Sequence, residues 1–248
     1  MQIETEGIVV KTVKYGEADT ILTIVSQKLG KITVFTKASK RVKSPLMSAS
    51  QIFAYSNFVL THQSGSYRLQ RVELIKNYYK ISTDLDKFFY ASYFMELSEK
   101  LMIEHQTNIK LFNLLKDTLD ILLELDTQKL ELMRIIYELK ILECSGFKPE
   151  VLKCANCGII QLERSRYFSI IEGGIICKDC SSKVKPLMEF DKTTIRFVEY
   201  VYSNDMSLAV NAKVSKIILA ELKRLLYHYI EEYLGTLNLK SINFIDNY

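Results

Sequence analysis

The chain has 248 residues, 48% of them hydrophobic and 25% charged, enough apolar material for one large or two to three smaller packed domains. No uninterrupted apolar run approaches the roughly 18 residues of a membrane span. The start, Met1-Gln-Ile-Glu-Thr-Glu6, has neither the basic head nor the apolar core of a signal peptide, so the expected compartment is the cytoplasm, with no membrane partner. The net charge of +4 is unevenly spread: residues 1–80 hold twelve Lys and Arg against five Asp and Glu, whereas residues 81–248 hold 21 against 24. That asymmetry suggests a polyanion-binding module joined to a segment with another task.

The basic first third reads as all-β. Apolar and β-branched residues fill 3–13, 19–25, 31–37, 52–60 and 67–75, with turn chemistry at Tyr15-Gly16, Leu29-Gly30 and Gln63-Ser-Gly-Ser66. Five short strands in about eighty residues suit a small closed barrel, for which an OB-fold with an exposed single-strand-binding face is the leading candidate. An SH3-like barrel would give a similar pattern, and spacing alone does not separate the two.

The longest connection in this region carries Lys37, Lys40, Arg41 and Lys43, four cations within seven residues beside Ser39 and Ser44. Such a loop can grip phosphates, while Phe35, Phe53, Tyr55 and Tyr67 are available for bases to stack upon. Lys11, Lys14, Arg68 and Arg71 would extend the groove if they face the same way. Basic runs in loops are also common as plain solvated surface, and most of these aromatics belong as readily to a core.

From residue 82 the period becomes helical. Leu85, Phe89, Tyr93, Leu97 and Leu101 form one stripe, with Ser82 or Thr83 as its cap, and Leu111, Leu114, Leu115, Thr118, Leu122 and Leu125 form a second. A third helix, about 130–144, has apolar groups on nearly all sides and should be buried and central. Gly146 and Pro149 end it. Cys144, left over from any motif, reads as a small buried hydrophobe.

Cys154-Ala-Asn-Cys157 and Cys177-Lys-Asp-Cys180 then stand nineteen residues apart. Two Cys-x-x-Cys pairs at this separation fold into knuckles whose four thiolates converge on one centre, the donor set of a structural Zn²⁺, one per chain. Gly158 allows the turn after the first pair, and Gly173-Gly174 is expected to turn a hairpin joining 166–171 to Ile175-Ile176. A redox Cys-x-x-Cys would need only one pair and belongs near a βαβ pattern. Four filled positions leave none for substrate, so stability rather than catalysis is expected. Beyond the knuckles, Asp191-Lys-Thr-Thr194 starts a helix through about Tyr202, and Val214, Ile218, Leu222, Leu225, Tyr229 and Tyr233 keep one face of a longer one.

The fold class read from these patterns is α+β. A five-stranded barrel (1–80), with the OB-fold as leading candidate, is expected to bind nucleic acid, and a helical domain (81–248) is expected to carry a zinc-finger insertion at about 150–184. His62, His105 and His228 are far apart, and no Gly-x-Ser-x-Gly, phosphate-binding Gly-Lys-Ser/Thr or His-Glu-x-x-His motif occurs. A binding protein, not an enzyme, is expected.

Several short pieces, in order, resemble one family. They are Thr5-Glu-Gly7-Ile-Val-Val10, Tyr15-Gly16-Glu17-Ala-Asp19, Leu22-Thr23 and Leu29-Gly30-Lys31, then Leu111-Phe112-x-Leu114-Leu115 and Gly146-Phe-x-Pro149 leading into Cys154-x-x-Cys157-Gly158. Phe168-Ser169, Gly173-Gly174, Cys177-x-x-Cys180 and Leu239-Lys240-Ser241 complete the set. Together they resemble the RecO family of bacterial recombination mediators nearly end to end. The resemblance implies binding of single- and double-stranded DNA and annealing of complementary strands. It also implies partnership with RecR in loading RecA onto DNA coated by single-strand-binding protein, whose acidic C-terminal tail the family recognises. The DNA role carries over first to Lys37, Lys40 and Arg41, then to Lys43, Arg68 and Arg71; no residues are assigned to the tail pocket. An OB-fold and zinc-ribbon protein of RNA binding or transcription is the alternative.

Overall fold

A computed structural model describes residues 2–15, 17, 19–37, 46–63, 65–160 and 166–246. The chain forms two compact units, Met1–Thr127 together with Leu239–Tyr248, and Gln128–Asn238. The change of period at residues 80/81 therefore falls inside the first unit.

In the first unit, β1 (Gln2–Tyr15), β2 (Asp19–Ser26), β3 (Gly30–Thr36), β4 (Ala54–Gln63) and β5 (Ser66–Asn77) close a barrel in the order β1-β2-β3-β5-β4. All neighbours are antiparallel except β3 and β5, which pair in parallel at Val34↔Tyr67 and Phe35↔Arg68. Alternation places Val9, Leu22, Ile24, Ile32, Val34, Phe58, Leu60 and Tyr67 inside. A short helix α1 (Leu46–Ala49) lies between β3 and β4. Expected strand 52–60 begins later, at Ala54, because Phe53 takes a left-handed turn at φ 73°.

Helices α2 (Leu85–Leu101) and α3 (Ile109–Glu124) follow the barrel in this unit. The cap of α2 is Asp84, whose carboxylate accepts from the Lys87 amide at 3.1 Å, rather than Ser82 or Thr83. Those two lie in a preceding 3-10 turn (Tyr79–Thr83) and bond back to the carbonyls of Tyr79 and Lys80. A local i−3 acceptor outcompetes the capping position for their hydroxyls. On α2, Tyr93 and Leu97 are buried as the stripe requires, but Leu85 is exposed. Gly30, at φ +67°, sits against the 103–106 turn so closely that a Cβ would collide with the carbonyl oxygens of Ile103 and Gln106.

The second unit is built on α4 (Leu130–Cys144), buried on nearly every side as its composition demands. It even encloses an ion pair, Arg134 Nε to Glu138 Oε1 at 2.7 Å. Its end is a Schellman turn: Phe147 N bonds the Leu142 carbonyl at 2.8 Å and Gly146, φ +85°, supplies the left-handed residue. Strands β6 (Tyr167–Ser169), β7 (Gly174–Ile176) and β8 (Met188–Glu189) form a small sheet in the order β7-β6-β8. The expected hairpin is present, but its turn is Ile170–Gly173, and Gly174 already pairs with Ser169. Helices α5 (Lys192–Ser203), α6 (Met206–Ala209) and α7 (Lys216–Leu234) follow, and α8 (Ile242–Asp246) belongs to the first unit. Among the described residues no helix is long and apolar enough to cross a membrane.

Candidate nucleic-acid interface and metal centre

The outer face of the barrel is set by register. Partners across a ladder point the same way, so the pairs Val13↔Ile21, Ile21↔Phe35, Phe35↔Arg68 and Thr61↔Arg68 define one continuous row over all five strands. Its centre is apolar. Tyr15, 57% exposed, meets Phe35 edge to face with ring centroids 5.9 Å apart, next to exposed Val13.

Two register shifts decide which cations join this row. Val9 pairs with Ile24 inside the barrel, yet Lys11 pairs with Thr23 outside, because Val10 is an extra residue in β1. In β5 the same device operates: Leu69 pairs inward with Leu60, Gln70 is extra, and Arg71 pairs outward with Val59. Strict alternation would have put Arg68 and Arg71 on opposite faces; the bulge puts both on the outside. Lys14 pairs with buried Thr20 and lies on the other face of β1, exposed at the strand's end. Lys37 is exposed immediately after β3. Lys40, Arg41 and Lys43 lie outside the described residues.

Of the four aromatics read as stacking surfaces, only Phe35 is left uncovered on the outer face; Tyr55 shares that face but lies beneath Phe112. Phe53 and Tyr67 are core residues, 3% and 5% exposed: Tyr67 points into the barrel, and Phe53, in the turn before β4, packs on Phe88 of α2. Tyr55 gives its hydroxyl to Glu6 and its ring to Phe112. Tyr15, Val13 and Ile21 join the outer face as well; alternation from Lys11 onward reaches Val13 and Tyr15, whereas Ile21 follows only as the partner of Val13 across the ladder.

In the second unit the four cysteines converge. The Sγ atoms of Cys154, Cys157, Cys177 and Cys180 all lie within 4.8 Å of one another, and Cys157 to Cys177 is 3.7 Å. Metal–sulfur bonds of about 2.3 Å in a tetrahedron require sulfurs roughly 3.8 Å apart, so the donor set fits a four-coordinate dication. Each knuckle folds on itself: Gly158 N bonds the Cys154 carbonyl at 2.8 Å, and Ser181 N bonds that of Cys177 at 3.0 Å. Strand β7 carries the second knuckle and binds the first through Ala155 N to the Ile175 carbonyl, 2.8 Å.

The centre has a buried side, Cys154 and Cys180 packed with Ile176 and Val184, and an open side where Cys157 is exposed. Burial opposes a thiolate at Cys154, but backbone amides of Cys177, Cys157 and Asn156 outweigh it and bring this thiol down to about 6. Burial and the neighbouring sulfurs push Cys177 up to about 12. The neighbouring sulfurs thus oppose ionisation at Cys177, and a bound dication would supply the charge that four thiolates demand.

A tyrosine pair anchors this module within its unit. Tyr229 and Tyr233 of α7 stack at 4.4 Å, and the Tyr233 hydroxyl donates to the carbonyls of Ile170 and Ile171 in the β6–β7 turn.

Residues 1–78 match the family model described as Recombination protein O N terminal, and residues 82–242 match Recombination protein O C terminal. The chain is 36% identical over 242 residues to the DNA repair protein RecO of Alkaliphilus metalliredigens, covering 98% of each chain. It is 35% identical over 246 residues to that of Bacillus pumilus, covering 99% of this chain and 94% of the relative. With that of Acetivibrio thermocellus it shares 31% over 243 residues, covering 98% and 96%. Matched along almost its whole length by both halves of the model and by these relatives, the chain belongs to the RecO family of DNA repair and recombination proteins.

Proposed function

We propose that this protein is a non-catalytic recombination mediator of the cytoplasm. It binds single- and double-stranded DNA on the barrel, anneals complementary strands, and with RecR helps load RecA onto DNA coated by single-strand-binding protein. The observation that carries the DNA reading is the outer face of the barrel, where Arg68, Arg71 and Lys11 lie around exposed Tyr15 and half-buried Phe35. Cations neutralise phosphates while aromatic faces take unstacked bases, the combination that single-strand binders use. Lys37, exposed just after β3, and Lys40, Arg41 and Lys43, which follow it in the sequence, extend the phosphate contact, and Lys14 lies at the barrel's rim.

Annealing on such a surface needs no leaving group and no nucleotide. Two strands repel each other through their phosphates; neutralising one set lowers that repulsion while bases not held by Tyr15 or Phe35 stay free to pair. The four-cysteine centre holds one Zn²⁺ per chain in a structural role, since four thiolates complete its coordination. The acidic tail of single-strand-binding protein is assigned to the helical part of the chain, where apolar groups and a cation would recognise it.

Strand annealing of labelled complementary oligonucleotides tests this, with and without single-strand-binding protein and at two salt concentrations. Annealing without nucleotide, weakened by salt and retained on coated strands, is expected. Tight binding with no annealing would overturn the mediator reading, and preference for a matched RNA strand would turn it toward RNA.

A further inference from the structure

The four sulfurs are not equivalent. Cys154 and Cys180 are 3% and 8% exposed and share a small core with Ile176 and Val184, whereas Cys157 is exposed and Cys177 partly so. The two accessible sulfurs come from different knuckles, and they lie 3.7 Å apart. An oxidant arriving from water therefore meets Cys157 first, and the accessible sulfur next to it is that of Cys177.

We propose that this centre is a peroxide-responsive switch in which Cys157 is oxidised and Cys177 resolves it. The Cys157 sulfur attacks one oxygen of hydrogen peroxide; the O–O bond breaks, leaving a sulfenic acid and hydroxide. The Cys177 sulfur then attacks the Cys157 sulfur, losing to solvent any proton it carries, which forms the S–S bond and expels a second hydroxide. Two sulfurs have given one electron each to the peroxide oxygens, and both hydroxides leave as water after taking protons from solvent. A metal bound by all four sulfurs loses two donors at once and is released.

The product differs from a disulfide inside one Cys-x-x-Cys. A Cys157–Cys177 bond ties the first knuckle to the end of β7, the join otherwise made by the ion and by the Ala155 N to Ile175 O hydrogen bond. The ribbon stays closed while the metal goes, and Cys154 and Cys180 remain thiols on the buried side. A dithiol reductant regenerates the four-thiolate cage, which makes the change reversible.

The metal-release half rests on the zinc reading; the disulfide half does not. The test uses the full chain, first reduced and measured for bound zinc, which checks the zinc reading by itself. Hydrogen peroxide is then added with a chelating dye, and samples are alkylated, digested and mapped by mass spectrometry. Release of roughly one zinc per chain in step with a Cys157–Cys177 cross-link, with Cys154 and Cys180 alkylated, is expected. The same cross-link is expected in metal-free chain. Cys157→Ser should lower the oxidation rate of Cys177 by about tenfold or more, while Cys144→Ser leaves both release and cross-link unchanged. Because Cys157→Ser itself weakens metal binding, the wild-type map is decisive: first-formed Cys154–Cys157 or Cys177–Cys180 bonds, or oxidation confined to Cys144, would overturn the proposal.

Discussion

Phe35 and Arg68 are cross-strand neighbours on the outer face of the barrel, and they should fail in different ways when removed. Phe35→Ala deletes the half-buried ring of an aromatic pair whose exposed member, Tyr15, approaches edge to face at 5.9 Å. One ring offers stacking to one base, so the loss should be about 1–3 kcal/mol, a factor of roughly 5 to 150 in Kd for single-stranded DNA. The salt dependence should not change, because no phosphate contact is lost. Arg68→Ala should reduce the slope of log K against log salt by about 0.7 and weaken all sequences alike. Neither change touches the inward row of Val34 and Tyr67, so the barrel stays folded. Fluorescence anisotropy with a labelled oligothymidylate at three salt concentrations, on both variants and the double variant, measures both quantities. If Phe35→Ala binds as the wild type does while Arg68→Ala flattens the slope, the face is merely electrostatic and the stacking argument is wrong. If neither changes, this face is not the site.

Other perturbations address the fold beneath. Gly30→Ala forces a side chain into a left-handed position against two carbonyl oxygens, and should lower unfolding free energy by more than about 2 kcal/mol in urea titration. Glu138→Ala removes the carboxylate that the buried Arg134 guanidinium pairs with and should cost about 3–5 kcal/mol, whereas Arg134→Met with Glu138→Leu should recover most of it. Chelation of the metal should raise amide exchange at Ala155, Ile175 and Cys177 and leave the barrel's amides protected, read by mass spectrometry. Glu96 accepts from Lys240 N, Ser241 N and Ser241 Oγ; burial raises its pKa, but these bonds outweigh burial and hold the carboxyl below its ordinary value. Its contribution is therefore complete above the ordinary carboxylate range and disappears as pH falls through the lower folded-state value. The gap in urea midpoint between wild type and Glu96→Gln should close over that acid window, and a gap that widens on acidification would refute the sign.

What the chain disclosed in advance follows from how locally each feature is encoded. The cysteine centre was legible to the residue, because a tetrahedral site needs particular atoms at particular spacings and two Cys-x-x-Cys pairs state both. The buried character of α4 was equally plain, since apolar groups on all sides leave no face for water. Harder to see was Asp84 as the cap of α2, because Ser82 and Thr83 are as suitable by type and are removed only by bonds to Tyr79 and Lys80. The two-residue strand β8 has too little pattern to announce itself. The bulges were the real gap. Val10 and Gln70 look like ordinary strand residues, and nothing in their type says that each stands unpaired. Yet a period-two ladder makes every residue beyond such an insertion change faces. Lys11 and Arg71 reach the outer face for this reason alone, so the charge seen in composition becomes a basic face only through two residues that carry no charge. A basic barrel and a basic face are thus separate properties, and the second is set by register, which is a property of pairs of strands rather than of any one stretch of sequence.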